Sequence, residues 1–323
     1  MSREREERLK AMLVSDVAAR VQSLRLAEGT VTLVLEAGGL AGPERDRIEM
    51  SARDSLRGAQ GVDEVRVALV AQKVQRRIVA VGSGKGGVGK STLSANLAVA
   101  LARMGRKVGL ADADIYGPSQ ARLLGTEGNR PEATQDKKLT PVASGWGVPV
   151  LSMAHLVKSG QAIAWRGPMA GNALAQLIDA DWGDVEILIV DLPPGTGDVQ
   201  LTMLQRFKPA GALIVSTPQD LALIDAARAV SLFEQGQVPV IGVVENMAGY
   251  LCPHCGEASD PFGAGGAERT AREMGHAFLG RIPLDLAIRQ ESDAGRPPAA
   301  SDGKQAEAFT QIAERVAAWL DAL

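Results

Sequence analysis

The chain has 323 residues, of which 46% are hydrophobic and 23% charged, and its formal net charge at pH 7 is −3. This length and apolar content suffice for one large α/β core with a small second domain, and the slightly acidic balance without a long basic block argues against nucleic-acid binding. The charged N-terminus MSREREERLK and the lack of an apolar run long enough for a bilayer predict a cytoplasmic protein that does not bind membranes.

Residues 1–72 are predicted to form a separate small α/β domain. Its expected elements are a charged opening helix, strands near 21–26 and 30–35, a helix over 43–56 and a strand over 62–70. In position this domain resembles the small metal-sulfur cluster biosynthesis domain that is often fused to one family of P-loop ATPases. The resemblance is to a degenerate form, because residues 1–72 have neither the Asp-Pro-Glu turn nor any cysteine that this domain often carries. Packing or the docking of a partner is therefore favoured over an independent metal role.

The segment GSGKGGVGKST at residues 82–92 follows an apolar run and precedes a helical pattern. Its glycines allow successive backbone N–H groups to turn toward phosphate oxygens at a helix N-terminus. In such a loop Lys90 neutralises the β and γ phosphates, and the hydroxyl of Ser91 binds Mg²⁺. The segment therefore predicts a nucleotide-binding P-loop.

A second lysine, Lys85, lies inside this loop, where the basic P-loop pattern does not require one. The run KGGVGKS resembles the deviant Walker A loop of the MinD, ParA and nitrogenase-iron-protein class. In that class the additional lysine reaches the nucleotide of the opposing subunit, so the resemblance implies a nucleotide-dependent homodimer. A solvated surface charge is the alternative for Lys85.

From residue 78 onward, strand and helix patterns alternate as in a doubly wound, mostly parallel sheet, which predicts an α/β P-loop ATPase domain over residues 73–323. Buried strands are expected at 78–81, 108–111, 185–190, 212–216 and 238–244. The polar region 125–138 has no clear periodicity and is predicted to be a mobile loop.

Acidic motifs follow two of these strands. The second strand ends in DADIYGPS, where Asp112 and Asp114 can hold Mg²⁺ through water or orient the water that attacks the γ-phosphate. A pair of turn aspartates is the alternative. The third strand ends in ILIVDLPPGTGD, which has the Walker B form, so Asp191 is expected to bind the Mg²⁺ shell. The Pro- and Gly-rich loop after it can report the γ-phosphate by moving.

Cys252 and Cys255 form the motif CPHC and are the two cysteines of the chain. A redox disulfide lacks its usual context, because no secretion signal is recognised and no helix follows the motif. A zinc site needs four ligands, whereas one chain offers two cysteines and the adjacent His254. A two-fold dimer would bring two pairs together and supply the four thiolates that a 4Fe-4S cluster requires. Purely structural cysteines are the fourth interpretation.

The C-terminal segment KQAEAFTQIAERVAAWLDAL carries an apolar stripe and mixed charges. The stripe consists of Phe309, Ile312, Val316, Trp319 and Leu320. A membrane-binding helix of the MinD type is basic and amphipathic, so this segment is instead predicted to pack on the core.

Two alternative functions remain open: a ParA- or MinD-like positioning ATPase, and an electron donor like the nitrogenase iron protein, whose cluster ligands are widely spaced single cysteines.

Several motifs occur in the order seen in the Mrp/ApbC family of iron-sulfur cluster carrier ATPases, over roughly residues 77–300. They are DADIYGPS, WRGPM (165–169), DLPPGTGD (191–198), STPQ (216–219), ENM (245–247), CPHC, FGAGG (262–266) and RIPLD (281–285). The resemblance implies a homodimeric ATPase that holds a labile 4Fe-4S cluster at its subunit interface. Such a carrier receives the cluster from upstream assembly machinery and delivers it to apo iron-sulfur proteins.

The same resemblance implies roles for individual residues. The ATP-binding loop comprises Gly84, Lys85, Gly86, Gly87, Val88, Gly89, Lys90, Ser91 and Thr92. Asp114 is implied as the hydrolytic switch residue beside the catalytic lysines 85 and 90, and Asn246 as a contact for adenine or, alternatively, a turn cap. Ser91, Asp112 and Asp191 are assigned to magnesium. For Asp112 the assignment is open, because either Asp112 or Asp114 can be nearer the water that attacks the γ-phosphate. Cys252 and Cys255 are implied to hold the bridging cluster.

Overall fold

The structure is a computed structural model that describes residues 2–38, 40, 42–70, 76–134, 136–156, 168–252 and 254–323. It divides into two compact units, Met1–Gln75 and Arg76–Leu323. The predicted domain boundary at 72–73 lies outside the described residues, as do residues 165–167 of WRGPM and Pro253 of CPHC. Within the described ranges, no helix is both long and apolar enough to cross a membrane.

The first unit is a three-stranded sheet with helices packed on it. Its elements are α1 (Ser2–Ala11), α2 (Ser15–Ala18), β1 (Val21–Ala27), β2 (Thr30–Glu36), α3 (Gly42–Leu56) and β3 (Glu64–Val70). Strands β1 and β2 are antiparallel, whereas β2 and β3 are parallel. Val31, Leu33 and Leu35 alternate along β2 and are fully buried, because side chains two apart share one face of a strand. They belong to the same apolar core as the buried side chains of α3.

The second unit contains a seven-stranded sheet and the remaining helices. Its elements are β4 (Arg77–Ser83), α4 (Lys90–Arg103), β5 (Val108–Asp112), α5 (Gln120–Leu123), β6 (Glu132–Ala133), β7 (Leu139–Thr140), β8 (Val150–Ser152), α6 (Met153–Leu156), α7 (Pro168–Ile178), β9 (Ile187–Asp191), α8 (Asp198–Thr202), a π-helical turn (Met203–Phe207), β10 (Gly211–Ser216), α9 (Asp220–Gln235), β11 (Val240–Asn246), β12 (Tyr250–Leu251), β13 (Ala258–Ser259), α10 (Gly266–Glu273), β14 (Phe278–Ile282), α11 (Leu286–Asp293), a 3-10 turn (Pro298–Ala300) and α12 (Lys304–Asp321).

The strand order of this sheet is β14-β11-β10-β4-β9-β5-β8, and all neighbouring strands are parallel. The first strand, β4, therefore lies at the centre, between β9 and β10. In open parallel sheets, ligands bind at the carboxyl ends of the strands where the order reverses. The P-loop follows β4 and so begins at this point.

Both faces of the sheet are covered, which explains why its central strands are apolar throughout. On one face, Leu93, Leu97 and Leu101 of α4 are fully buried in a core that includes α12. Phe309 and Ile312 of α12 are also 0% exposed. The prediction that the C-terminal helix packs on the core is therefore confirmed.

The structure differs from the sequence-based prediction at the two edges of the sheet. Strands β8 and β14 were not expected, because β8 has only three residues and β14 interrupts its apolar pattern with Gly280 and Arg281. The region predicted to be a loop over 125–138 contains the short strand β6, which pairs antiparallel with β7. The central strands occupy their predicted places to within two residues.

Candidate functional site

The P-loop connects β4 to α4, and two of its glycines have a backbone conformation that other residues rarely adopt. Gly87 and Gly89 have φ values of +79° and +84°, in the left-handed region. A Cβ atom at Gly89 would lie 1.9 Å from Nδ2 of Asn246, and one at Gly84 would lie 2.1 Å from the backbone of Asp225. Both positions therefore require glycine, because the loop backbone is packed directly against neighbouring elements.

Lys90 lies at the centre of a buried charge cluster at the N-terminus of α4. Its Nζ is 2.6 Å from Oδ1 of Asp191 and 3.8 Å from Oδ2 of Asp114. Lys90 is 6% exposed and Asp191 0%, so each charge is compensated inside the protein. The hydroxyl of Ser94 also donates to Oδ1 of Asp191, at 3.0 Å. Lys90, Asp114 and Asp191 therefore lie together at the start of α4.

Asp112 is fully buried and holds the segment that follows β5. Its Oδ2 accepts hydrogen bonds from Ser152 Oγ at 2.7 Å and from the backbone N–H groups of residues 119–120 at 2.9 Å. Burial, together with the nearby charge of Asp191, raises the pKa of Asp112 to about 7. Its Oδ1 accepts from the backbone N–H of Asp114 at 3.2 Å. Both oxygens of Asp112 thus hold the turn, and its role in the magnesium shell stays a prediction.

Asp114 is placed differently. Its Oδ1 accepts from the backbone N–H groups of Tyr116 and Gly117, at 3.3 and 3.2 Å, and this fixes the carboxylate in the turn. Its Oδ2 is the oxygen near Lys90. Of the two aspartates of DADIYGPS, Asp114 is therefore the one whose side chain forms an ion pair with the P-loop lysine Lys90.

Gln120, which was not predicted from the sequence, completes the cluster. Its Nε2 donates to Oδ2 of Asp191 at 2.8 Å and to the carbonyl oxygen of Ser91 at 3.0 Å. The side chain is fully buried, and its Oε1 has no hydrogen-bond partner among the described residues. The Ser91 hydroxyl, the Asp191 carboxylate and this orphaned oxygen suit Mg²⁺, which binds oxygen ligands and keeps several waters.

Two further contacts surround the P-loop. Nζ of Lys85 lies 3.4 Å from Oε1 of Gln219, in the STPQ motif. The backbone N–H of Gly195, in the loop after the Walker B strand, donates to the carbonyl oxygen of Ser83 at 2.8 Å. The start of the P-loop is thus attached to the loop that follows Asp191.

The cysteines lie on a short hairpin formed by β12 and β13. The backbone N–H of Cys252 donates to the carbonyl oxygen of Glu257 at 2.9 Å. Both thiols are free, with Cys252 half-buried and Cys255 exposed. Hydrogen bonds from the backbone of Cys255 and then of His254 hold the pKa of the Cys252 thiol below its ordinary value. This favours the thiolate, which is the form that binds metals.

Asn246, the last residue of β11, contacts the P-loop. Its Nδ2 donates to the carbonyl oxygen of Val88 at 2.8 Å. The side chain predicted to contact adenine thus bonds the loop backbone in this structure. Residues 247–265, which include both cysteines, follow directly in the chain.

Glu245 fixes the other end of this cysteine segment. It is fully buried, and its carboxylate accepts from the backbone N–H groups of Gly265 and Ala267, at 3.0 and 2.7 Å, and from Nε of Arg281 at 3.0 Å. Glu245 and Asn246 are adjacent, so one dipeptide holds the end of the cysteine segment and also contacts the P-loop. The sequence motif ENM was recognised, but this role for Glu245 was not predicted.

Comparisons with known proteins agree with this arrangement. Residues 74–317 match the ParA family, described as NUBPL iron-transfer P-loop NTPase. An iron-sulfur cluster carrier protein of Deinococcus radiodurans is 46% identical over 287 residues, which cover 85% of this chain and 81% of the relative. One of Pseudomonas fragi is 51% identical over 229 residues, or 70% of this chain and 79% of the relative.

A solved structure shows the same fold. The nucleotide-binding protein of Archaeoglobus fulgidus, in complex with ADP, superimposes with a TM-score of 0.63 at 39% identity. The match covers 72% of this chain and 91% of that protein. The predicted doubly wound, mostly parallel α/β fold of a P-loop NTPase is thereby confirmed.

Proposed function

Since the chain belongs to the ParA family of NUBPL iron-transfer P-loop NTPases, we propose that it is an ATP-dependent carrier of iron-sulfur clusters. The observation that carries the proposal is the path from nucleotide loop to cysteines: Asn246 bonds the P-loop, and its neighbour Glu245 holds the end of the cysteine segment. These contacts support the proposal, because they connect the P-loop to the segment that carries Cys252 and Cys255.

ATP binding would rearrange the buried charges. Lys90 is paired with Asp191 in this structure, and phosphate oxygens at the P-loop would attract its ammonium group instead. Asp191 would then lose its ion pair with Lys90 and could take part in binding Mg²⁺ beside the nucleotide. The Ser91 hydroxyl and the Asp191 carboxylate, through water, would hold Mg²⁺, which would supply positive charge beside the phosphates. Asp114, whose Oδ2 faces Lys90, would orient the water that attacks the γ-phosphate.

The cargo requires two subunits. One chain supplies two cysteines, whereas a 4Fe-4S cluster is held by four thiolates. Two-fold symmetry brings the same pair from each protomer to one place. In that dimer Lys85 would leave Gln219 and reach the nucleotide of the opposing subunit, so that nucleotide state and cluster retention become coupled equilibria. Apo iron-sulfur proteins are the acceptors, and upstream assembly machinery loads the cluster.

Anaerobic reconstitution with iron and sulfide tests the proposal. The purified protein should gain the absorption of a 4Fe-4S cluster and about four iron atoms per dimer. Size-exclusion chromatography with light scattering should find the iron only in the dimer. Iron bound to a monomer, or protein that takes up no cluster, would contradict the proposal.

Replacement of Asp114 with asparagine should separate ATP binding from hydrolysis. Asparagine keeps an acceptor oxygen for the turn but removes the charge that faces Lys90. We expect turnover to fall by about 10²-fold or more, with little change in ATP affinity, because general-base or water-positioning groups contribute about 10²–10⁴. Single-turnover hydrolysis and equilibrium ATP binding measure the two effects. Normal turnover in this variant would assign the water-positioning role to another residue.

Replacement of Glu245 with glutamine should weaken the coupling between ATP and cluster retention. The new amide group would face backbone N–H donors that now meet a carboxylate. In the wild type, we expect the rate of iron release to a chelator to differ with and without ATP. In the variant, the ratio of these two rates should be closer to one, while the cluster still loads. Glu268→Gln is the matched control, because Glu268 also contacts Arg281 but its side chain is 33% exposed, whereas that of Glu245 is fully buried. An unchanged ratio in Glu245→Gln would contradict this path.

A further inference from the structure

We infer that Gln120 positions the metal ion that accompanies the nucleotide, with its side-chain oxygen accepting a hydrogen bond from a water of the Mg²⁺ shell. This inference rests on the proposed binding of ATP. It assigns a role to a residue that neither the P-loop nor the Walker B pattern includes.

The orientation of the Gln120 amide follows from its partners. Oδ2 of Asp191 and the carbonyl oxygen of Ser91 can only accept hydrogen bonds, when the aspartate is ionised. The group between them must therefore be the NH₂ of the amide, because a carbonyl oxygen there would face two acceptors. Oε1 is consequently directed away from both contacts.

This oxygen is an acceptor that lacks a donor. Gln120 is 0% exposed, and no described residue donates to Oε1. A buried polar atom without a partner is destabilising, so a ligand that supplies a donor gains a favourable contact here. The phosphates of a nucleotide carry only acceptor oxygens at neutral pH. Water bound to Mg²⁺ is a donor, and Mg²⁺ usually keeps several waters when it binds beside phosphates.

The position of Gln120 also fits this role. Its amide contacts Asp191, at the end of the Walker B strand, and the backbone of Ser91, whose hydroxyl is the predicted metal ligand. Its own backbone N–H donates to Oδ2 of Asp112 at 2.9 Å, so the start of α5 is held on the buried carboxylate. The side chain thus lies between the two residues that are expected to bracket the ion.

Gln120→Met tests the inference, because methionine has a similar length and no amide. The affinity of a fluorescent ADP analogue is measured with Mg²⁺ and with EDTA, and the Mg²⁺ midpoint is determined for the nucleotide complex. We expect the gain in affinity due to Mg²⁺ to fall about tenfold, as loss of one good hydrogen bond predicts, with little change in the EDTA measurement. Asn96→Leu is the control, since Asn96 is a buried amide that bonds only backbone atoms in the described contacts.

The outcomes are distinct. Equal losses with Mg²⁺ and with EDTA would mean that Gln120 only supports the fold, and an unchanged Mg²⁺ midpoint would also overturn the inference. Thermal unfolding of both variants shows whether they remain folded, and Gln120→Leu, which also lacks the amide, should lose the same part of the Mg²⁺ effect as Gln120→Met. If the wild-type protein gains no ADP affinity from Mg²⁺, the proposed nucleotide function fails rather than this assignment alone.

Discussion

Lys90→Met should nearly abolish ATP hydrolysis and should also destabilise the second unit. We expect the lysine to be the charge that the P-loop presents to phosphate, and removing one preorganised charged group from a water-excluded site costs about 10²–10³ in turnover. It also leaves Asp191 buried without its ion-pair partner at 2.6 Å. Breaking a buried pair from one side costs about 3–5 kcal/mol of the free energy of unfolding. Steady-state ATPase assays and denaturant unfolding measure the two effects.

Two controls separate these contributions. Lys107→Met removes a lysine that is 54% exposed and paired with Asp184, and it should change neither quantity appreciably. The double variant Lys90→Met, Asp191→Asn should regain much of the stability but not the activity, because the uncompensated charge is gone. Wild-type turnover in Lys90→Met would mean that this loop does not bind the nucleotide that is hydrolysed.

Cys252→Ser and Cys255→Ser should each abolish stable binding of the iron-sulfur cluster. A cluster that needs four thiolates would lose two in every dimer, because symmetry removes the same ligand from both subunits. The affinity for ATP should persist, since the contacts of Lys90 and Asp191 do not involve the cysteines. Iron and sulfide are counted after anaerobic reconstitution, and ATP binding is measured on the same samples.

His254→Ala is the matched control for the cysteine variants. If the four cysteines hold the cluster alone, this variant should keep about four iron atoms per dimer. Loss of iron from it would make histidine a ligand, as in the zinc interpretation of CPHC. A double cysteine variant that still holds a full cluster would exclude the interface site.

The sequence predicted the central part of the fold well, because its signals are local. The apolar runs of β4, β5 and β9 end in glycine- or aspartate-containing motifs whose chemistry is readable without knowing their neighbours. The edge strands β8 and β14 carry no such run, and their pairing depends on strands elsewhere in the chain. Pattern alone therefore could not place them.

The sequence named most residues of the candidate site, whose roles stay predictions, but it did not indicate the long-range contacts among them. Gln120 bonds Asp191 across 71 residues, and Glu245 bonds Arg281 across 36, so neither role is visible in a local motif. Asp112 and Asp114 are two residues apart and equivalent as sequence. The turn after β5 distinguishes them, because its backbone N–H groups donate to both oxygens of Asp112, whereas Oδ2 of Asp114 faces Lys90.

Transfer of labelled iron tests the central claim most directly. The wild-type protein is loaded with a cluster containing labelled iron, and it is mixed under reducing, anaerobic conditions with the apo form of a 4Fe-4S enzyme. We predict that the label moves to the acceptor, that enzyme activity returns with it, and that ATP changes the rate. If the label stays on the protein with every acceptor and in every nucleotide state, as for an electron donor, the carrier function is contradicted.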